Sequence, residues 1–474
     1  MGAPLRLSAR VRATSPRRPA RAWAAMPALL ALAMACGAPR DDGAGQRGAL
    51  ADAGPDVAAA AVGPPGLLSP FGVFGLYEFM LDGVPAGVSR TTAADHFTAL
   101  GAKWVQEMPT ELSALPPRAA GYTRIGKEGA YNHGGDLTAY RAALQTFVAQ
   151  NKERVKLYEV DTEPSGAPAP VGWANDPTGY VALLRASYET VKAECADCKV
   201  VLGGVPGIGV APTATDPHAT FLKAILAQGA GSYFDVFEFK QHHYAPKDYV
   251  MLKARYAIFR EILASHGVDI DARQVFLESA AYDGQPSYSA GPLAGVSFPA
   301  QTESQQASAL VKLLVYALSL GVDRIFWNSI FERHDFAGSA GDSFNFYGLV
   351  NNAKNPDGKS NVKCAYYTYQ RLVALLDDCD AGSITTLRDP SAGAVALVKL
   401  RRAGREVWVA WNDGADVTDV ALSDVSSKVT ITDMAPSVAS CPGSPPTFVT
   451  STAEPVAGIV TVRVAPDHPV VVVR

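Results

Sequence analysis

Short apolar runs alternate with longer amphipathic segments along most of the chain from Phe71 onward. The short runs are rich in β-branched and aromatic residues, as buried strands are, and the longer segments repeat apolar residues every three or four positions, as helices do. The pattern predicts eight strands: Gly72–Tyr77, Ala102–Glu107, Gly121–Gly126, Val155–Val160, Lys199–Gly204, Phe234–Phe239, Gln274–Glu278 and Asp323–Trp327.

Helix-start signals stand between these strands. Asp136 precedes one amphipathic segment as an N-cap, and Asp176-Pro177 opens another. Thr302 opens a third, with Gln305 placed to complete a capping box. Strand and helix thus alternate eight times over about 300 residues, which predicts an α/β fold of the (β/α)8 TIM-barrel type. A doubly wound sheet is the alternative, but no Gly-x-Gly-x-x-Gly turn follows an early strand.

The pattern changes after the predicted helix Asn361–Leu376. Short alternating runs separated by turn residues follow, namely Ala394–Leu400, Glu406–Trp411, Lys428–Thr432, Ile459–Val464 and Val470–Val473. They predict a small antiparallel β-sandwich of about 95 residues. Packing against the barrel is a simpler role for this sandwich than sugar binding.

The first 35 residues contain six arginines and no acid, and they end in an apolar stretch. This is the layout of an export signal. The sequence Leu32-Ala33-Met34-Ala35-Cys36 resembles a bacterial lipobox, which predicts cleavage before Cys36 and lipidation of that cysteine. Simple secretion is the alternative. No apolar run reaches the roughly 18 residues of a spanning helix, so we expect membrane contact through the lipid anchor alone.

Four regions follow from these patterns. Residues 1–36 form the signal peptide ending at the lipobox cysteine, and residues 37–70, rich in Ala, Gly and Pro, form a disordered tether. Residues 71–377 form the barrel, and residues 378–474 form the sandwich. We expect an exported protein, lipid-anchored to the bacterial cell envelope at the outer membrane or cell surface, or secreted, that acts as a monomer.

The charge balance limits the partners. The chain has 42 basic and 46 acidic residues, and removal of residues 1–35 leaves 36 basic residues, so that the formal charge falls from −4 to −10. Such a surface is a poor partner for nucleic acid. We expect no cofactor.

Six cysteines are present, and export to an oxidising compartment favours disulfides. Cys195 and Cys198 form a C-x-x-C pair that fits a redox motif, half of a zinc site or a local disulfide. The local disulfide fits best, because a redox pair normally opens a helix and no second ligand pair follows at zinc spacing. Cys364, Cys379 and Cys441 allow one further bridge, whose pairing stays open.

Two glutamates stand at the carboxyl ends of predicted strands, the face where TIM barrels hold their active sites. Glu163 follows the fourth strand and precedes Pro164, and Glu278 ends the seventh strand. A carboxylate there needs water, a partner or a substrate, because burying it alone is costly. A salt bridge at the barrel rim is the alternative. Two carboxyl groups roughly 5–5.5 Å apart suit glycoside hydrolysis with retention.

The sequence resembles clan A of the retaining glycoside hydrolases over about Phe71–Arg474, most of all the family 39 branch of β-xylosidases and related enzymes. The resemblance rests on Glu163-Pro164 after strand four, Glu278 ending strand seven, and further segments in matching order. Those segments are Tyr233-Phe234-Asp235 leading to His242-His243-Tyr244, Gly321–Trp327, Tyr347–Val350 and Lys363–Tyr367.

The resemblance implies roles for these residues. Glu163 would be the acid/base, Glu278 the nucleophile, and Tyr244 or a neighbouring histidine the partner of Glu278. The predicted substrate-binding residues are Thr162, Trp173, His242, His243, Tyr244, Tyr282 and Trp327, with Trp327 as the floor under the reacting sugar. Aromatic rings at loop positions suit the C–H face of a pyranose. We expect no metal, because adjacent histidines on a strand point to opposite sides and no third ligand follows.

Two positions depart from the family pattern. The Asn that normally precedes the acid/base and binds the sugar 2-hydroxyl is Thr162 here, and an Arg that usually ends strand two is Gln106. A threonine cannot present an amide, so this contact would be weaker. Three interpretations stay open: an active enzyme with an unusual site, an enzyme for a sugar lacking that contact, or an inactive barrel that binds glycan.

The sequence thus predicts an exported retaining glycoside hydrolase that cleaves β-glycosidic bonds in oligosaccharides or polysaccharides. The alternative is a non-catalytic carbohydrate-binding lipoprotein on the same barrel, which Thr162 and Gln106 favour. The sequence does not indicate a peptidase or an esterase, since it has neither a Gly-x-Ser-x-Gly elbow nor a His-Glu-x-x-His motif.

Overall fold

The computed structural model describes residues 69–74, 90–107, 120–125, 136–166, 173–207, 216–242, 245–287, 295–333, 341–351, 361–441 and 445–474. The predicted signal peptide with Cys36, and the tether up to residue 68, lie outside the described residues, as do His243 and Tyr244. No helix among the described residues is long and apolar enough to cross a bilayer.

Eight parallel strands close into a barrel, with the first strand paired to the last. The strands are β1 (Phe71–Phe74), β2 (Trp104–Glu107), β3 (Ala120–Ile125), β4 (Val155–Val160), β5 (Lys199–Pro206), β6 (Val236–His242), β7 (Gln274–Ala280) and β8 (Arg324–Trp327). The predicted TIM barrel is confirmed, and each of the eight predicted strands overlaps an observed one. Between β6 and β7 the register pairs Lys240 with Glu278, which brings both residues to the carboxyl end of the barrel.

Seven α-helices among the described residues pack outside the barrel: α1 (Arg90–Leu100), α2 (Leu137–Asn151), α3 (Pro177–Glu194), α4 (Pro217–Leu226), α5 (Met251–Ser265), α6 (Glu303–Ser319) and α7 (Cys364–Leu376). The predicted caps are confirmed. Asp136 and Asp176 accept hydrogen bonds from the first turns of α2 and α3, and Thr302 and Gln305 form the capping box of α6. These side chains satisfy backbone donors that a helix start leaves open.

An apolar layer fills the lower barrel interior, with one side chain from each strand from β2 to β8. Its members are Trp104, Tyr122, Leu157, Val201, Val236, Phe276 and Phe326. The Arg324 guanidinium stacks on this layer, 3.9 Å from the Trp104 ring centroid. A packed layer of this kind excludes water from the base of the barrel, so a pocket can open only at the carboxyl ends of the strands.

The C-terminal strands form two facing sheets. One has six strands in the order β14 (Thr450–Ala453), β13 (Val429–Asp433), β16 (Val470–Val473), β11 (Arg405–Asn412), β10 (Val395–Arg402) and β9 (Cys379–Arg388), and the other pairs β12 (Thr418–Leu422) with β15 (Val460–Val464). A buried cluster containing Trp408, Leu422 and Val462 lies between them. The predicted β-sandwich is confirmed, with three strands, β9, β12 and β14, that the sequence pattern did not predict.

Two disulfides are present among the described cysteines. Cys195 pairs with Cys198, as predicted for a local bridge. Cys364 at the start of α7 pairs with Cys441 of the sandwich, which resolves the pairing left open by the sequence. Cys379 is a buried free thiol, and burial raises its pKa to about 11, so it is protonated and unreactive at neutral pH.

Candidate active site

The turn after β4 carries Glu163 in a constrained backbone. Asp161 and Glu163 both have positive φ, 53° and 46°, a conformation that costs free energy and persists where its surroundings hold it. The Asp161 carboxylate accepts a hydrogen bond of 2.7 Å from the Trp173 indole, and the Glu163 carbonyl accepts one of 2.8 Å from the Gly166 amide. The turn is therefore anchored on both sides, and it leaves the Glu163 side chain 40% exposed.

Glu278 at the end of β7 is buried, with its side chain 2% exposed. Its Oε1 accepts a hydrogen bond of 2.8 Å from the Asn328 amide and lies 3.6 Å from His242 Nε2. Its Oε2 lies 2.7 Å from the Lys240 ammonium. A hydrogen bond to one oxygen and a close cation beside the other favour the ionised carboxylate and fix its orientation.

Lys240 joins the two glutamates. Its Nζ lies 2.7 Å from Glu278 Oε2 and 3.5 Å from Glu163 Oε1. These two oxygens are therefore at most about 6 Å apart, which places both carboxyl groups together at the barrel mouth, as a mechanism with two carboxylates requires. The same ammonium donates to the Thr162 hydroxyl at 2.7 Å, so Thr162 also lies beside the two glutamates.

A second pair of buried acids lies one layer deeper in the barrel. Glu159 accepts a hydrogen bond of 2.5 Å from the Gln106 amide and one of 3.2 Å from the Gly204 backbone. Glu238 accepts a hydrogen bond from the Tyr122 hydroxyl. Burial and the charge of Glu159 raise the pKa of Glu238 well above its usual range, against the opposing charge of a nearby lysine.

The structure places three of the predicted aromatic residues in buried positions. Trp327, the last residue of β8, is fully buried, and its indole donates to the Tyr347 carbonyl at 3.3 Å. Tyr282 is also fully buried, and its hydroxyl donates to the Pro299 carbonyl at 2.9 Å. Trp173 is 6% exposed and anchors the β4 turn. Sugar binding by these rings stays a prediction.

His242 lies beside Glu278, as predicted for a neighbouring histidine. Its ring contacts Phe344 and Tyr347, with centroids 5.3 and 5.2 Å away. These two aromatic residues follow the eighth strand; the sequence indicated Tyr347 only as part of a family-like segment, and it did not indicate Phe344. The predicted partners His243 and Tyr244 lie outside the described residues.

Lys240 and Asn328 are site residues that sequence reasoning missed. A signal for Lys240 was present, because Glu238, Lys240 and His242 alternate along β6 and a strand turns alternate residues to one face. Three polar residues on the inner face of a fully buried strand indicate that they line a polar pocket. Asn328 follows β8 directly, but a single amide after a strand has no distinguishing pattern.

The described residues hold two groups of side chains of metal-ligand type: Cys195 with Asp197 and Cys198, and Glu303 with Cys364 and Cys441. The cysteines of both groups are joined in disulfides. A thiolate, not a disulfide sulfur, is the metal ligand. Neither group lies among the residues around Glu163 and Glu278.

No protein-family model matches the chain, and no curated protein matches it by sequence. Its fold, however, is similar to solved glycoside hydrolases. A family 39 glycoside hydrolase from Bacteroides cellulosilyticus WH2 is 15% identical, with 86% of this chain and 81% of that chain covered and a TM-score of 0.57. A 4-O-α-L-rhamnosyl-β-D-glucuronidase from Fusarium oxysporum 12S is 14% identical, with 86% and 96% covered and a TM-score of 0.55.

A family 51 α-L-arabinofuranosidase from Bifidobacterium longum is also similar, with 12% identity, coverage of 86% of this chain and 96% of that chain, and a TM-score of 0.54. Structural neighbours include members of glycoside hydrolase families 39, 30 and 51. At these identities, the likeness establishes the shared fold, a barrel followed by a β-sandwich. The chemistry has to be argued from the site.

Proposed function

We propose that this protein is a retaining glycoside hydrolase that cleaves β-glycosidic bonds by double displacement. The observation that carries the proposal is the pairing of Glu163 and Glu278 at the carboxyl ends of β4 and β7, with two of their oxygens near one ammonium. Glu278 is buried and hydrogen-bonded, whereas Glu163 is partly exposed. Two carboxyl groups in such different environments can take different roles in one reaction.

Glu278 is suited to be the nucleophile. Asn328 and Lys240 hold its two oxygens, so an ionised oxygen is fixed in place for attack on the anomeric carbon. As the new carbon–oxygen bond forms, the bond to the leaving oxygen breaks, and Glu163 gives its proton to that oxygen. Water then attacks the glycosyl ester, Glu163 takes a proton from the water, and Glu278 leaves as a carboxylate.

Substitution of each glutamate tests the proposal in the full-length chain. We expect Glu278→Gln to abolish hydrolysis of aryl β-glycosides and of plant or microbial polysaccharides, because an amide is a poor nucleophile. Glu163→Gln lowers kcat about 100- to 10,000-fold for substrates with poor leaving groups. It lowers kcat/KM far less for dinitrophenyl glycosides, whose leaving group needs no proton, although their kcat still falls because Glu163 is also the base for the water step. The Glu153→Gln variant of an exposed glutamate is the control.

Proton NMR of the first product gives the stereochemistry. The initial product keeps the β configuration when Glu278 acts as nucleophile, whereas single displacement gives the α configuration. Full activity of the Glu278→Gln variant, or an inverted first product, would contradict the proposal.

The second candidate is a carbohydrate-binding protein without catalysis. Thr162 and Gln106 favour it, because Thr162 cannot present an amide to a sugar and the Gln106 amide donates to Glu159. This candidate gives measurable glycan affinity by calorimetry with no turnover in any variant. If the wild-type chain hydrolyses a glycoside and the Glu278→Gln variant does not, the protein is an enzyme.

We further propose that the enzyme works outside the cytoplasm, held to a membrane by a lipid attached to Cys36. The arginine-rich, acid-free leader and the lipobox-like sequence before Cys36 support this proposal, and two disulfides are in keeping with an oxidising compartment. Intact mass of the mature protein tests it: a chain beginning at Cys36 with added acyl mass supports the anchor, and an unmodified chain contradicts it.

A further inference from the structure

Lys240 occupies an unusual place for a lysine, inside the barrel. It lies on β6 with its side chain 5% exposed, opposite Glu278 in the β6–β7 register. The neighbouring strand makes room for it, because a Cβ at Gly204 would come within 2.7 Å of Lys240 Cε. A buried ammonium is costly unless charge and hydrogen bonds compensate it, so its partners define what it does.

Three oxygens surround the ammonium, which has three N–H donors. Glu278 Oε2 and the Thr162 hydroxyl both lie at 2.7 Å, and Glu163 Oε1 lies at 3.5 Å. The contact with Glu278 is thus a close ion pair, whereas the contact with Glu163 is a longer electrostatic one. The unequal distances assign the charge of Lys240 mainly to Glu278.

We infer that Lys240 is a positioning residue that holds Glu278 ionised and oriented as the nucleophile. This inference rests on the proposed function. The Lys240 amine does not attack the sugar. It acts through Glu278, and through Thr162 it links that carboxylate to the turn that carries Glu163.

Several titratable groups lie near Glu278, and their charges influence whether its carboxyl group is ionised. They are Lys240 and His242 on β6, Glu163 after β4, and, within electrostatic reach one layer deeper, Glu238 on β6 and Tyr122 on β3. The acids and the phenol, where charged, oppose ionisation of Glu278. Lys240 is the closest cation to Glu278 among these groups, so its removal takes away the main charge that favours the ionised nucleophile.

The test compares Lys240→Met and Lys240→Arg with wild type across pH, with Lys199→Met at the exposed start of β5 as the control. We expect Lys240→Met to lower kcat about 100-fold, as loss of a preorganised charge does. We also expect the acid limb of kcat/KM to move to higher pH by about one unit or more, because loss of a cation within 4 Å raises the pKa of the nucleophile. Lys240→Arg keeps the charge and recovers the acid limb.

A second measurement separates this inference from the proposed function. Carbon-13 NMR of the protein labelled at glutamate carboxyls, with the Glu278 signal assigned by its loss in Glu278→Gln, follows the ionisation of Glu278 without any turnover. A higher midpoint in Lys240→Met supports the inference, even if no glycoside is cleaved by the wild type. An unchanged midpoint and an unchanged acid limb overturn it, even if the wild type is an active hydrolase.

Discussion

At the scale of single residues, Glu238 shows how the interior of this barrel sets protonation. Its carboxyl group is fully buried and accepts from the Tyr122 hydroxyl. Burial and repulsion by Glu159 raise its pKa well above the usual value, and the charge of Lys240 offsets only part of this. A neutral Glu238 leaves the charge of Lys240 available for Glu278.

Glu238→Gln tests this protonation through stability. A protonated carboxyl group resembles an amide in shape and charge, so we expect the variant to fold. Because the pKa is raised on folding, the native state of the wild type holds more protons than the unfolded state above about pH 4.5, and its stability falls as pH rises, by at most about 1.4 kcal/mol per unit. The variant lacks this loss, so its stability relative to wild type improves from pH 4.5 to 7.5.

Urea unfolding at several pH values measures the difference, with the exposed-site variant Glu153→Gln as control. A difference between Glu238→Gln and wild type that stays constant across this range would mean that Glu238 ionises normally in the folded protein.

The residue scale also shows what the sequence was able to predict about the site. The two strand-end glutamates were predictable, because an acid ending an apolar strand is conspicuous and the barrel brings all eight strand ends to one face. The burial of Trp327 and Tyr282 was not, since the path of the loops decides whether a ring faces solvent. Lys240 was visible only as part of an alternation, and its partners come from β4 and β7, far away in the chain.

At the scale of elements, two glycines of β5 shape the site. A Cβ at Gly203 would come within 1.9 Å of the Asp161 carbonyl, and one at Gly204 would crowd the Lys240 side chain. The absence of side chains at these positions lets the β4 turn and Lys240 approach the strand between them. The geometry of the candidate active site thus depends on a strand that contributes no acid to the pair.

The burial of an element decides whether its sequence pattern reveals it. The barrel strands are buried on both faces, so each is a compact apolar run that stands out from its flanks. The strands β9 and β14 are edges of the six-stranded sheet and are largely exposed and polar, so no apolar period marks them. Helix starts were predictable where an Asp or Thr side chain caps them, since the cap is a local interaction.

At the scale of the whole molecule, barrel and sandwich are joined by buried charges as well as by apolar packing. The Lys312 ammonium on α6, 2% exposed, lies 2.9 Å from Asp413 and 3.0 Å from Asp467, both on the sandwich. The Tyr249 hydroxyl donates to Asp413 as well. The buried Lys312 and Asp413 cannot be separated without leaving charges uncompensated, so we expect the two parts to unfold together.

The disulfide between Cys364 and Cys441 adds a covalent tie at the same junction. Glu303 at the start of α6 accepts hydrogen bonds from both cysteine amides, at 3.0 and 3.1 Å. The bridge spans 77 positions of sequence, whereas the bridge between Cys195 and Cys198 spans 3. A cross-link that closes a longer loop removes more entropy from the unfolded chain.

Replacing both cysteines of one disulfide by alanine, for each disulfide in turn, compares how much each bridge stabilises the protein. We expect loss of Cys364–Cys441 to lower the free energy of unfolding by about 3–4 kcal/mol, and loss of Cys195–Cys198 by about 2 kcal/mol or less. Urea unfolding in non-reducing buffer, followed by both tryptophan fluorescence and circular dichroism, gives both values and shows whether the transitions coincide. Equal losses in the two variants would contradict the loop-length argument. A split transition in the Cys364/Cys441 variant alone would mean that this bridge, more than the Lys312 cluster, makes barrel and sandwich unfold as one unit.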